Sequence, residues 1–266
     1  MNRIRHIFIL FLPFLVFTSS CLENEVNQKR SLVNIYLIDA PGDFDQAWLE
    51  ILRVEVFLDE VNNGETEGWV PFDYIPLSNI VNVSALVAES QLILGRSELE
   101  LGTIRQIKLV LGEEHYLIKD EDRLALSLAP EVNNEVVLDV DYVLRGGNSY
   151  DIYLDMDLGR SIKADPNAEE SYLLNPVMRS FATGDEASIS GKVTPVDAQP
   201  FVHAILGQDT LTTLTDESGD FYFRGLRAGE YQIYFHPASP YLDSTTTVVT
   251  KLDSLSQMET ILLRQP

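Results

Sequence analysis

Throughout the chain beyond Ser31, short runs rich in Val, Ile, Leu, Tyr and Phe alternate with Gly, Pro, Asn and Asp clusters at a spacing of roughly 8 to 15 residues, the signature of strands and turns. Period-two alternation predicts strands at Leu32 to Ile38, Trp48 to Leu58, Trp69 to Tyr74, Gln106 to Leu111, Val136 to Leu144 and Tyr150 to Leu158. Only Ser84 to Leu94 has helical spacing, through Leu86, Val87 and Leu94. In the sharpest pair, Val136, Leu138, Val140, Tyr142 and Leu144 alternate with Asp139 and Asp141. Ile152, Leu154, Met156 and Leu158 alternate with Asp151, Tyr153, Asp155 and Asp157. Arg145-Gly146-Gly147-Asn148-Ser149 between them is loop chemistry, so a hairpin is expected, with Asp139 across from Asp155 on a wet face that also carries Tyr153. The fold class expected is mainly β: two consecutive β-sandwich domains.

The amino terminus follows another logic. Arg3, Arg5 and His6 precede an apolar run from Ile7 to Phe17, broken only by Pro13, which reads as an export signal over residues 1–20. The run falls short of the roughly 20 residues a membrane-spanning helix needs. Thr18-Ser19-Ser20-Cys21 resembles the lipobox at which bacterial lipoprotein signal peptidase cuts, which implies acylation of Cys21, the chain's single cysteine. Residues 21–30 then read as a polar tether. The expected location is the cell envelope, as an outer-membrane lipoprotein on the periplasmic or the outer face, with the membrane as a partner through palmitate on Cys21.

Composition narrows the partners. With 41 acidic against 19 basic residues the formal charge is −22, which repels phosphate backbones and argues against nucleic acid. Apolar residues make up 45% of the chain, enough for two cores. The polar stretch Arg179 to Ala187 divides an amino-terminal domain, 31–184, from a second one, 185–266.

In the second domain, Ile189-Ser190-Gly191-Lys192-Val193, Thr215-Asp216-Glu217-Ser218-Gly219-Asp220-Phe221-Tyr222-Phe223, Leu226, Gly229 and Tyr231 resemble the carboxypeptidase regulatory-like family. That resemblance implies a transthyretin-like (prealbumin-like) Greek-key sandwich with a carbohydrate-binding-like fold and no catalysis. Independently, Asp216 to Gly219 reads as a tight turn and Phe221 and Phe223 as core. In the first domain, Leu37-Ile38-Asp39-Ala40-Pro41-Gly42-Asp43-Phe44-Asp45, the run Leu99 to Leu111, Leu154-Asp155-Met156-Asp157 with Ser161-Ile162, and Leu174-Asn175-Pro176-Val177-Met178 resemble the domain-of-unknown-function family 4382. Ile104 replaces an aromatic usual there, and Met156 a phenylalanine. The resemblance implies a lipoprotein and no assigned activity.

Catalytic constellations are sparse. The sequence has no G-x-S-x-G elbow, no H-x-x-x-H pair and no glycine-rich phosphate loop, so no catalytic residue and no cofactor is expected. His203 reads as a strand residue facing solvent or a neighbour. Two acidic sets are candidate Ca²⁺ ligands: Asp39, Asp43 and Asp45, and Asp139, Asp141, Asp155 and Asp157. Capping of the Pro41-Gly42 turn is the preferred reading of the first set, and partners such as Arg160 or Arg145 that of the second. Trp48 and Trp69 are expected in the core, a surface platform being the alternative. The functional expectation is a non-catalytic, membrane-anchored binding module for a glycan or an envelope protein. The alternative is a structural spacer or assembly accessory, and a glycan or peptide hydrolase ranks last.

Overall fold

A computed structural model describes residues 29–40, 42, 44–59, 68–184 and 186–266; Cys21, the export segment and Asp43 lie outside the described residues. The first thirteen strands are β1 (Arg30–Ala40), β2 (Gln46–Asp59), β3 (Gly68–Pro71), β4 (Ile80–Asn82), β5 (Leu92–Glu100), β6 (Thr103–Leu111), β7 (His115–Lys119), β8 (Asp122–Leu128), β9 (Glu135–Val143), β10 (Ser149–Asp157), β11 (Ile162–Ala164), β12 (Ser171–Leu174) and β13 (Met178–Ala182). They form one sheet of order β13-β10-β1-β5 and a second of order β11-β12-β8-β7-β2-β6-β9, with β3 and β4 also paired to β2. Val33, Ile35 and Leu37 of β1 and Ile152, Leu154 and Met156 of β10 share a core with Ile107, Leu109 and Leu111 of β6.

Strand β2 shows how sequence pattern becomes shape. Ala47, Leu49 and Ile51 are buried at odd positions and Val54, Val56 and Leu58 at even ones, a slip of phase at Leu52 and Arg53. A register shift falls there, between Ile51 and Arg53. A bulge inserts one residue, so both halves keep their apolar side chains on the core side. The two halves take different partners, β7 and β4 first, then β6 and β3.

Two expectations are corrected. Ser84 to Leu94 is no helix: a 3-10 turn covers Val83–Ala85, Ala88 adopts a left-handed φ of 55°, and Leu92 starts β5. A left-handed residue stops helix propagation. Nor do β9 and β10 form a hairpin. β9 pairs with β6 in one sheet, while β10 runs parallel to β1 in the other. The connecting segment spends its backbone groups on third parties: Leu144 N–H donates to Gly102, Gly147 N–H to Arg30, and Asn148 accepts from Leu32. Period-two alternation names the face that is buried and leaves the partner strand open.

A second body follows: β14 (Ala187–Thr194), β15 (Phe201–Leu206), β16 (Asp209–Leu214), β17 (Asp220–Leu226), β18 (Gly229–His236), β19 (Ser244–Thr250), β20 (Ser254–Gln257) and β21 (Ile261–Leu262). Sheets β17-β14-β20, with β21 on β14, and β16-β15-β18-β19 enclose their own core. Phe221 is its centre, edge-on to Phe223 at 6.2 Å and to Phe235 at 5.7 Å. Its ring lies over Gly191, where any Cβ would come within 2.5 Å of it. The Asp216–Gly219 turn forms as expected. Asp216 Oδ1 accepts from the amides of Ser218 and Asp220 at 2.8 and 2.9 Å, and Gly219 takes φ +82°, a conformation that favours glycine.

The two bodies are joined by side chains of β13 and β17. Arg179 pairs with buried Asp155 through Nε at 2.7 Å and donates to the carbonyls of Gly225 and Arg224 at 2.6 and 2.9 Å. Phe181 stacks on Tyr153 at 5.0 Å, which stacks on Tyr36 at 5.2 Å. Arg224 lies over the Tyr153 ring and reaches back to Gln91 and the Glu89 carbonyl. Hence Tyr153, expected on a wet face, is only 7% exposed. Arg179→Ala strands a buried carboxylate and is expected to cost about 3–5 kcal/mol in urea unfolding. A loss below about 1 kcal/mol would show that the joint is anchored elsewhere.

Candidate functional site

The hairpin acids are not gathered. Asp139 accepts from Gln106 Nε2 at 2.8 Å and Asp141 pairs with Arg105 at 2.6 Å, both on β9. Asp155 pairs with Arg179, and Asp157 accepts from the Arg160 amide at 2.8 Å to cap the short helix α1 (Leu158–Ser161), both in the other sheet. Placing β9 and β10 in separate sheets removes the shared face on which a four-aspartate cation site depended. Of the other set, Asp45 is exposed and its Oδ2 accepts from the Asp120 amide at 2.9 Å, whereas Asp39 is buried. Among the described residues, no group of three or more His, Cys, Asp or Glu side chains is placed to hold a metal ion.

Asp39 stands apart electrostatically. Its two carboxyl oxygens are buried, and among the described residues none makes a hydrogen bond of good geometry to them. Burial first, and then the neighbouring Asp155 charge, push its pKa well above the usual carboxylate value; the Leu158 amide opposes them and Asp157 adds to the rise. The folded state therefore binds this proton more tightly than the unfolded chain does. The stability so contributed is full below the ordinary carboxylate value of 3.8 and is lost as pH rises through the raised native value. Asp39→Asn is expected to melt with the parent at about pH 3 and above it at neutral pH. Parallel melting curves for the two proteins across that range would refute the assignment.

His115 is also held neutral. Its Nδ1 accepts the Glu50 amide at 3.1 Å, and burial lowers its pKa.

The arrangement that stands out lies on the outward face of β16-β15-β18-β19. Antiparallel pairing sets His203 against Thr212 on one side and Tyr234 on the other, and Tyr234 against Thr245. One strand residue pair along, Phe201 faces Leu214 and His236. Phe201, His203, Tyr234 and His236 thus share one patch. Successive ring centroids are 6.5, 5.7 and 6.2 Å apart, with planes inclined by 14°, 21° and 23°. Polar groups fix the rings. His203 Nδ1 and Thr212 Oγ1 are 2.8 Å apart, Tyr234 donates its hydroxyl to Asp243 at 2.6 Å, and His236 lies 3.0 Å from the same carboxylate. The Tyr234 and then the His236 hydrogen bonds hold Asp243 below the ordinary carboxylate range. Burial, followed by the His236 charge, lowers the pKa of His203.

Sequence reasoning read His203 only as a strand residue facing solvent or a neighbour. The alternation Phe201-x-His203 and Tyr234-x-His236 was the available signal, but only strand register brings the two together. The tryptophans are likewise corrected. Trp48 stacks on Tyr116 at 5.7 Å, with the Arg123 guanidinium 3.7 Å from the Tyr116 ring centre. Trp69 is 36% exposed beneath Lys108 Nζ at 4.3 Å. Each sits on an outer face because the core positions of β2 and its neighbours are filled by aliphatic residues.

Residues 30–176 match the family model described as domain of unknown function (DUF4382). No curated protein matches the chain. Among solved structures, similarity is found to the Bacillus anthracis TIE protein, at 12% identity and a TM-score of 0.26, over 89% of this chain and 34% of that one, about a third of its length. Similarity also extends to GBS52, the minor pilin of Streptococcus agalactiae, at 11% identity and TM-score 0.25 over 88% and 96% of the two chains. For shaft pilin SpaA of Lactobacillus rhamnosus GG the values are 10%, 0.23, 90% and 98%. TM-scores this low carry no argument about this chain.

Proposed function

The chain belongs to the DUF4382 family, and on that premise we propose that it is a non-catalytic binding module, held to a membrane of the bacterial envelope by lipid on Cys21, whose ligand is a glycan. The observation that carries the reading is the patch Phe201, His203, Tyr234 and His236. Near-parallel rings present apolar faces to the C–H faces of pyranose rings. The hydroxyls of Thr212 and Thr245 and the carboxylate of Asp243 flank them with hydrogen-bonding groups for sugar hydroxyls. The patch runs along one sheet face, with Phe201 at its end lining the cleft between the bodies, a shape that suits an extended chain better than a small isolated metabolite.

Anchoring by Cys21 is supported by Thr18-Ser19-Ser20-Cys21 after a basic and then apolar segment. Among the described residues no helix is long and apolar enough to cross a membrane. Palmitate labelling is expected in the parent and absent from Cys21→Ser, and labelling of both would remove the anchor.

The glycan reading is tested by probing an array of envelope polysaccharides with protein purified in detergent. Phe201→Ala with Tyr234→Ala is expected to weaken binding by about tenfold or more, since each stacking contact contributes roughly 0.5–1.5 kcal/mol. Circular dichroism should stay unchanged, because both side chains are partly exposed on the outer face. An array without a hit, or a hit indifferent to the double substitution, would end the reading.

A further inference from the structure

A second surface is unusual for so acidic a chain. Where the two bodies meet, a cleft of about 680 Å³ is lined by three guanidinium groups, Arg160 and Arg179 from the first body and Arg227 from the second. Gln208, Thr210 and Tyr231 add polar groups. Another cleft between the bodies, of about 770 Å³, shows the contrast: Asp45, Asp120, Asp216 and Glu217 line it together with Lys119. In a chain of net charge −22, three arginines line this one cavity, each with a carboxylate beside it: Asp157, Asp155 and Asp209 respectively.

The arginines differ in how far they are engaged. Arg179 is spent mostly on the joint, with Nε and both terminal nitrogens bonded, which fixes its position. Arg160 is 71% exposed, and its Nε stands 4.0 Å from Asp157 Oδ2, too far for a hydrogen bond. Arg227 pairs with Asp209, which also lines the cleft, but the two side chains are 71% and 69% exposed. An ion pair so open to water is weak, so an incoming anion can take over from Asp209.

We infer that this interdomain cleft is a binding site for an oxyanion, the carboxylate of an acidic sugar. Guanidinium groups match the planar carboxylate in a bidentate manner, and Gln208 and Thr210 are available to the sugar hydroxyls. Because Arg160 and Arg227 come from different bodies, the site exists only in the docked arrangement that Arg179 maintains.

Isothermal titration calorimetry of the full chain in detergent, with trigalacturonate and separately with sodium sulfate at fixed ionic strength, tests it. Trigalacturonate is expected to bind, and more weakly as sodium chloride is raised. The variant with Arg160→Ala and Arg227→Ala should lose about tenfold or more in affinity, while Arg30→Ala, an exposed arginine paired with Glu100, should not. A neutral trisaccharide should give no heat that depends on Arg160 and Arg227, which separates this site from the ring patch. Sulfate binding with the same arginine dependence would support the oxyanion site and name a small free anion as a sufficient ligand. No heat from either probe, or binding that survives the double arginine variant, would overturn the inference.

Discussion

Arg179 ties together what the rest of the molecule requires. Its guanidinium is shared between the buried carboxylate of Asp155 in one body and the carbonyls of Arg224 and Gly225 in the other. A carboxylate buried in that position is costly unless paired and hydrogen-bonded. The pairing makes it possible to bury the outer face of β10 under a second sandwich. The stack from Tyr36 through Tyr153 to Phe181 then fills the remaining space with ring area. Phe181 fits because residue 225 is glycine: a Cβ there would come within 2.3 Å of the ring, and the backbone adopts φ +64°.

The same docking organises the charge. It brings Arg160, Arg179 and Arg227 around one cleft and leaves acids around another. Near the joint Asp39 is sealed from solvent beside Asp155 and Asp157, where keeping its proton costs less than carrying an unpaired charge. The acidic residues that draw attention in the sequence therefore act in different ways: one with its pKa raised by burial, one ion-paired and buried, one as a helix cap, and two on β9 engaged with Arg105 and Gln106. The ring patch depends far less on docking. It is produced within one sheet by the register of β15 against β18.

Local pattern determined much of this protein. Alternation located β1, β2, β6, β9 and β10, since a strand with one face in a core repeats every two residues whichever strand it pairs with. Asp216 to Gly219 was legible as a turn because its stabilising bonds lie within the segment itself. The basic, apolar and small-residue order before Cys21 is likewise a property of sequence alone. Tertiary structure decided the rest, for one reason: contacts between residues distant along the chain leave no periodic mark. It sent β9 and β10 to opposite sheets, turned the Ser84 to Leu94 segment into a turn and a strand, and set both tryptophans on outer faces. It also covered Tyr153, and joined two rings of β15 to two of β18 across a register that only the folded sheet defines.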